Sequence, residues 1–142
     1  MKLYTVITAA SLALAAIGSS LADDAHSETV TPKFDQAIPN IPGKSLVVVE
    51  VDYAPGAASK PHKHASSAFI YAYVLAGEIE SKVNNGEARI YKAGENWSEP
   101  PDATHLISRN ASKTKPAKLL AVFVLDSGDK ALTTPLSEET VR

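Results

Sequence analysis

Gly56-Ala57-Ala58-Ser59-Lys60-Pro61-His62-Lys63-His64 leads, after a short insert bearing Ser66 and Ser67, into Phe69-Ile70-Tyr71-Ala72-Tyr73-Val74-Leu75 and then Gly77. Residues i and i+2 of a strand face the same side, so both imidazoles of His62 and His64 point into a fold or both point out of it. Such a pair can hold a transition metal at about 2.1 Å. A third ligand has to come from elsewhere in the chain, and His105 is the candidate. It lies beyond Gly94 and the turn Glu99-Pro100-Pro101-Asp102-Ala103-Thr104. Its neighbour at i+2, Ile107, suits an apolar interior. A single histidine on a strand is usually structural. Here all histidines except His26 fall in two segments of one design, a Gly or Pro turn followed by an apolar strand. His26 reads as part of a polar arm.

Working outward, strand-like runs recur. Lys44–Tyr53 is β-branched and apolar. Runs at 68–75, 79–83, 88–92, 96–99, 105–109 and 117–125 follow, divided by Pro55-Gly56, Ala76-Gly77, Asn84-Asn85-Gly86-Glu87, Ala93-Gly94 and Pro100-Pro101. An Asn-Gly step between strand-like runs is a hairpin signal. No run has helical spacing. Seven or so short strands at this spacing predict an all-β sandwich or barrel, and 142 residues suit one domain.

The chain ends divide as follows. Lys2, an apolar core over 4–17 and the small-x-small step Ser20-Leu21-Ala22 before Asp23-Asp24 predict a signal peptide over 1–22, cleaved after Ala22. The apolar core is shorter than the ~20 residues a spanning helix needs. Residues 23–43, broken by Pro32, Pro39 and Pro42, read as an extended arm with an edge strand near 29–34; 44–126 read as the barrel and 127–142 as a polar tail over the surface. Net charge is −2 and no basic patch is present, so nucleic acid is not an expected partner, nor is a membrane after cleavage. No cysteine is available for disulfides, so an exported protein of this sequence relies on its own core and on any metal it binds.

The two histidine segments together resemble the paired motifs of the cupin superfamily, in its small single-domain, cupin type-2-like form. The first motif is Gly, five residues, His-x-His, three or four residues, Glu, six residues, Gly. Gly56, five residues and His62-Lys63-His64 fit it, and Tyr73 to Gly77 match its end. The second motif is Gly, five residues, Pro-x-Gly, two residues, His, three residues, Asn. Gly94, five residues and Pro100-Pro101-Asp102-Ala103-Thr104-His105 fit it, with Asp102 at the glycine place and Asn110 one residue late. Aspartate also tolerates the left-handed turn conformation.

One departure bears on chemistry. Ile70 stands where the motif has its metal-binding Glu, and 65–76 contains no acidic residue. Glu99 is a substitute carboxylate to consider; as a strand-end charge it is more simply read as solvated.

The resemblance implies a single-domain jelly-roll β-barrel. Within it one divalent transition metal (Fe, Mn, Zn, Cu or Ni) would be held by His62, His64 and His105. Tyr73, Trp97 and Ile70 are the expected wall of a ligand pocket. The implied function is that of an exported metal-binding protein acting as a metal-dependent oxygenase or isomerase on a small organic substrate. The alternative is a non-catalytic binder of a metal or small ligand. No general base is apparent beside the ligands unless Tyr73 or Glu99 serves. The resemblance also implies a homodimer.

Overall fold

The computed structural model describes residues 28–137. The predicted signal peptide, His26 and the last five residues lie outside them. The described residues form ten strands and no helix: β1 (Glu28–Ala37), β2 (Lys44–Tyr53), β3 (His62–His64), β4 (Phe69–Ala76), β5 (Glu78–Val83), β6 (Arg89–Lys92), β7 (Asn96–Glu99), β8 (Thr104–Asn110), β9 (Ala117–Asp126) and β10 (Thr133–Pro135). They make two five-stranded sheets, ordered β1-β2-β9-β4-β7 and β10-β3-β8-β5-β6. All pairings are antiparallel. This is an all-β jelly-roll barrel.

β9 shows why this sequence builds a two-layered fold. Ala117, Leu119, Ala121, Phe123 and Leu125 are buried, while the residues between them are at most half-buried. That period of two aims one apolar row at the facing sheet. Burying each large aliphatic or aromatic side chain of such a row contributes roughly 1.5–3 kcal/mol. β2 pairs with β9 over its whole length, and β4 flanks β9 on the other side. β4 repeats the pattern, with Ile70, Ala72 and Val74 inward and Phe69 and Tyr71 exposed. The edge strand β1 carries Pro32, where a missing N–H costs no inner ladder bond, and its register shifts between Pro32 and Phe34.

The chain crosses from one sheet to the other at Gly77, between β4 and β5. Its φ is +71°, and a Cβ there would lie 2.5 Å from the Pro116 carbonyl oxygen. Asp102, at the motif's glycine place, adopts φ +63° in the turn before β8, and its carboxylate meets Lys63 Nζ at 3.0 Å. Asn110 stands one residue late because β8 shifts register against β5, where Lys82 pairs with Ile107 but Val83 with His105. Leu106 is the extra residue. His105, Ser108 and Asn110 all remain buried. Asn110 Nδ2 donates to the carbonyls of Ala54 and Lys115, which closes the loops at this end of the barrel.

Where sequence predicts a polar tail over the surface, residues 133–135 form β10 and pair with β3, with Thr133 opposite His64 and Pro135 opposite His62. Two threonines and a proline, all exposed, carry no periodicity to read. Their contribution is backbone pairing to a strand that is itself only three residues long.

Candidate metal centre

His62 and His105 are directly paired residues of β3 and β8. Paired residues project on one face with Cβ atoms about 5 Å apart. His64 shares that face by strand alternation. The three rings converge: one ligand atom of each lies within 4.8 Å of the other two. His64 and His105 are buried and His62 is half-buried. Ring centroids are 4.8 Å apart for His62 and His64, and 5.3 Å for His62 and His105.

Outer contacts orient all three rings. His62 Nδ1 lies 2.8 Å from the Lys60 carbonyl and His64 Nδ1 3.3 Å from that of Leu132. A carbonyl only accepts, so both Nδ1 atoms carry a proton and Nε2 is the ring atom left to face the barrel. His105 Nε2 lies 2.9 Å from Ser81 Oγ. Burial pulls the His62 ring below its ordinary pKa. It pulls His105 down to about 4.

Glu99 is not a solvated strand-end charge. It is 2% exposed. Its position on β7 is opposite Ile70 on β4, with both side chains buried in the barrel. The carboxylate that the motif would place on β4 therefore enters from the adjacent strand. Glu99 Oε2 lies 2.9 Å from His64 Nε2, and Oε1 lies 3.4 Å from His105 Nδ1. Trp97 Nε1–H donates to Glu99 Oε1 at 3.0 Å. Burial alone would raise the Glu99 carboxyl, but the contacts with His64, His105 and Trp97 outweigh it and hold the group below the usual carboxylate value.

His64 Nε2 and Glu99 Oε2 are buried and neither has a hydrogen-bond partner. They are close enough for an ion pair, yet a hydrogen on Nε2 would point past Oε2. With the Nδ1–H directed at Leu132, His64 Nε2 and the Glu99 carboxylate oxygen face each other in the barrel with no hydrogen bond between them. Such a pair is unfavourable unless a cation lies between the two atoms. Two ligands at right angles on one ion at about 2.1 Å stand roughly 3.0 Å apart. The donor set therefore fits a divalent metal.

A cavity of about 120 Å³ adjoins the rings. Ile70 lines it, as expected. Tyr73 does not: it alternates with the inward Ala72 and Val74 and faces the other side of β4. Trp97 is buried but stands behind Glu99 rather than on the cavity wall. Tyr53 does line it, a residue the sequence did not single out. Its hydroxyl lies 2.7 Å from Ser59 Oγ and 2.8 Å from Ser108 Oγ, and burial pushes its phenol up. The alternation Val49, Val51, Tyr53 along β2 was the available signal.

A pH dependence follows for the metal-free protein. Below its ordinary value of 6.5, the unfolded chain protonates this imidazole, whereas folded His105 stays neutral to about 4. The contribution of this group is thus complete above pH 6.5 and is lost as pH falls toward 4, by about 3 kcal/mol. Urea unfolding of chelator-treated protein at pH 7.5 and pH 4.5 should show most of that loss.

A family model described as "Cupin domain" matches residues 49–123. Germin-like protein subfamily 2 member 4 of Arabidopsis thaliana is 28% identical over 122 residues, which is 82% of this chain and 54% of that protein. The chain spans about half the length of the curated relatives it matches. Among solved structures, a conserved protein with a double-stranded β-helix domain from Klebsiella pneumoniae matches at TM-score 0.60 and 21% identity, covering 76% of this chain and 85% of that one. An oxalate oxidase in complex with glycolate matches at TM-score 0.59 and 23% identity, covering 78% and 55%. At these identities the structural likeness concerns the fold.

Proposed function

Because this chain belongs to the cupin family, we propose that its barrel holds one divalent transition metal through His62, His64, His105 and Glu99. The observation that supports this most is the unpartnered pair His64 Nε2 and Glu99 Oε2, buried and 2.9 Å apart. Three imidazoles and one carboxylate are borderline ligands that suit Fe, Mn, Zn, Cu or Ni. Such an ion would act as a Lewis acid on an oxygen of a small ligand. The protein would orient the imidazoles through Lys60, Leu132 and Ser81, and keep bulk water out with the apolar wall. Cobalt(II) titration tests this reading. Wild type should develop d–d absorption that saturates near one equivalent, and His105→Ala should not. The absence of such a band in wild type would refute it.

Oxygenase or isomerase chemistry on a small organic substrate is the enzymatic form of this proposal; one neighbour in fold is an oxalate oxidase. A second reading, a non-catalytic binder, is favoured by the carboxylate inventory. Among the described residues Glu99 is the only carboxylate lining the cavity, and it is already engaged with the rings. That leaves no free general base. Oxygen uptake by the metal-loaded protein with a panel of small phenols and acids separates the two.

Export is part of the same proposal. N-terminal sequencing of protein from the exported fraction should begin at Asp23; a start at Met1 would contradict cleavage.

A further inference from the structure

We propose that the cavity beside the three histidines takes a ligand no larger than a phenol, with an apolar body and one oxygen donor, and that it discriminates against dicarboxylates. The proposal rests in part on the metal reading, through the charge balance below.

Size sets the first limit. The cavity measures about 120 Å³. An apolar cavity of about 150 Å³ is filled by benzene, and sites for drug-sized molecules begin near 300 Å³. A ligand of roughly six to eight non-hydrogen atoms fills this space, and a larger one, such as a fused ring, would project from it past Val30 and Thr133.

The wall sets the second limit. Apolar side chains, among them Val49, Val51, Ile70, Leu119, Ala121 and Phe123, supply most of it. Among the described residues no lysine or arginine lines the cavity. A divalent ion bound by three imidazoles and the Glu99 carboxylate leaves two positive charges less one, a net +1. A neutral ligand or a monoanion is compatible with that charge. A dianion would leave an excess negative charge inside an apolar barrel, with no cationic side chain to meet it.

Polar recognition comes from three hydroxyls. Tyr53 Oη is bonded to Ser59 Oγ and Ser108 Oγ, and all three residues line the cavity. Each hydroxyl can make one donating and two accepting bonds, so the cluster retains capacity for a ligand hydroxyl or carbonyl. A neutral cluster of this kind selects an uncharged oxygen group. Access is from the side of β1 and β10, where exposed Val30 and Thr133 line the same cavity.

Fluorine NMR titration of zinc-treated and chelator-treated protein tests this, with 4-fluorophenol and 2,2-difluoromalonate as probes and zinc content measured alongside. The expected result is saturable 4-fluorophenol binding at least tenfold tighter than difluoromalonate in both preparations. Ala121→Leu, which fills the cavity, should weaken fluorophenol binding tenfold or more. Ser59→Lys, which adds a cation to the half-buried rim, should raise difluoromalonate affinity about tenfold and keeps the test decisive if the Ala121 variant does not fold. Zinc held by the protein together with equal or tighter difluoromalonate binding, or with no fluorophenol binding, overturns this proposal and leaves the metal reading standing. Fluorophenol preference in protein that takes up no zinc overturns the metal reading and leaves the apolar cavity standing.

Discussion

Glu99→Leu is expected to lower the affinity of the barrel for zinc about a hundredfold or more. Groups that merely orient a metal ligand are worth 10- to 100-fold in affinity, and a carboxylate that bonds the ion directly contributes at least as much. The same substitution should destabilise the metal-free protein by about 1–3 kcal/mol, because it leaves the buried Trp97 Nε1–H without its acceptor. The cross-strand register supplies a sharper form of the prediction. Ile70 lies directly opposite Glu99, and both are buried. Ile70→Glu placed on the Glu99→Leu background returns the carboxylate to the strand where the family motif has it, and should recover at least tenfold of the lost affinity. Competition against a fluorescent zinc chelator measures both steps. Unchanged affinity in Glu99→Leu would remove Glu99 from the ligand set.

Gly77→Val should destabilise the protein by about 3–5 kcal/mol. A left-handed backbone costs a non-glycine residue about 1–2 kcal/mol, and more when it is β-branched. The new Cβ would also meet the Pro116 carbonyl oxygen at 2.5 Å and the Ala117 Cα at 2.9 Å, both main-chain atoms with little room to yield. Because Gly77 carries the chain from one sheet to the other, relief of the clash would separate the start of β9 from the end of β4. Urea denaturation of the metal-free protein measures the loss. A cost below 1 kcal/mol would show that this crossing tolerates a side chain.

The fold was largely legible because its strands announce themselves. β2 and β7 coincide with the runs read from composition and turns, and β4, β5, β6, β8 and β9 differ from theirs by a residue or so at their ends. Asp102 could be placed in a left-handed turn from its chemistry, and its φ agrees. β10 was not legible, since its three exposed residues, Thr133, Thr134 and Pro135, pair through backbone alone. At the site, the i, i+2 spacing was enough to put His62 and His64 on one face. Bringing His105 opposite His62 required the register of β3 against β8, which the paired motifs implied and the pairing shows.

The carboxylate was harder. A Glu six residues before the histidine, at the start of a Pro-Pro-Asp turn, looks like a solvated charge when only neighbours in sequence are considered. Its burial beside the imidazoles becomes visible once β7 is paired with β4, a relation between residues 29 positions apart. Tyr73 was misplaced for a related reason: aromatic character does not say which face of a strand a residue occupies, which depends on the phase of alternation, fixed here by Ile70, Ala72 and Val74. Trp97 does face inward, opposite Ala72, but its ring sits beside Glu99 and off the cavity wall.

Metal content by inductively coupled plasma mass spectrometry, on protein purified without chelators from metal-supplemented medium, bears most directly on the convergence of His62, His64, His105 and Glu99. Wild type should carry about one divalent transition metal per chain, and His64→Ala and His105→Ala should carry almost none while remaining folded by circular dichroism. Wild-type protein as empty as the two variants, or variants as full as wild type, would contradict a metal centre in this barrel.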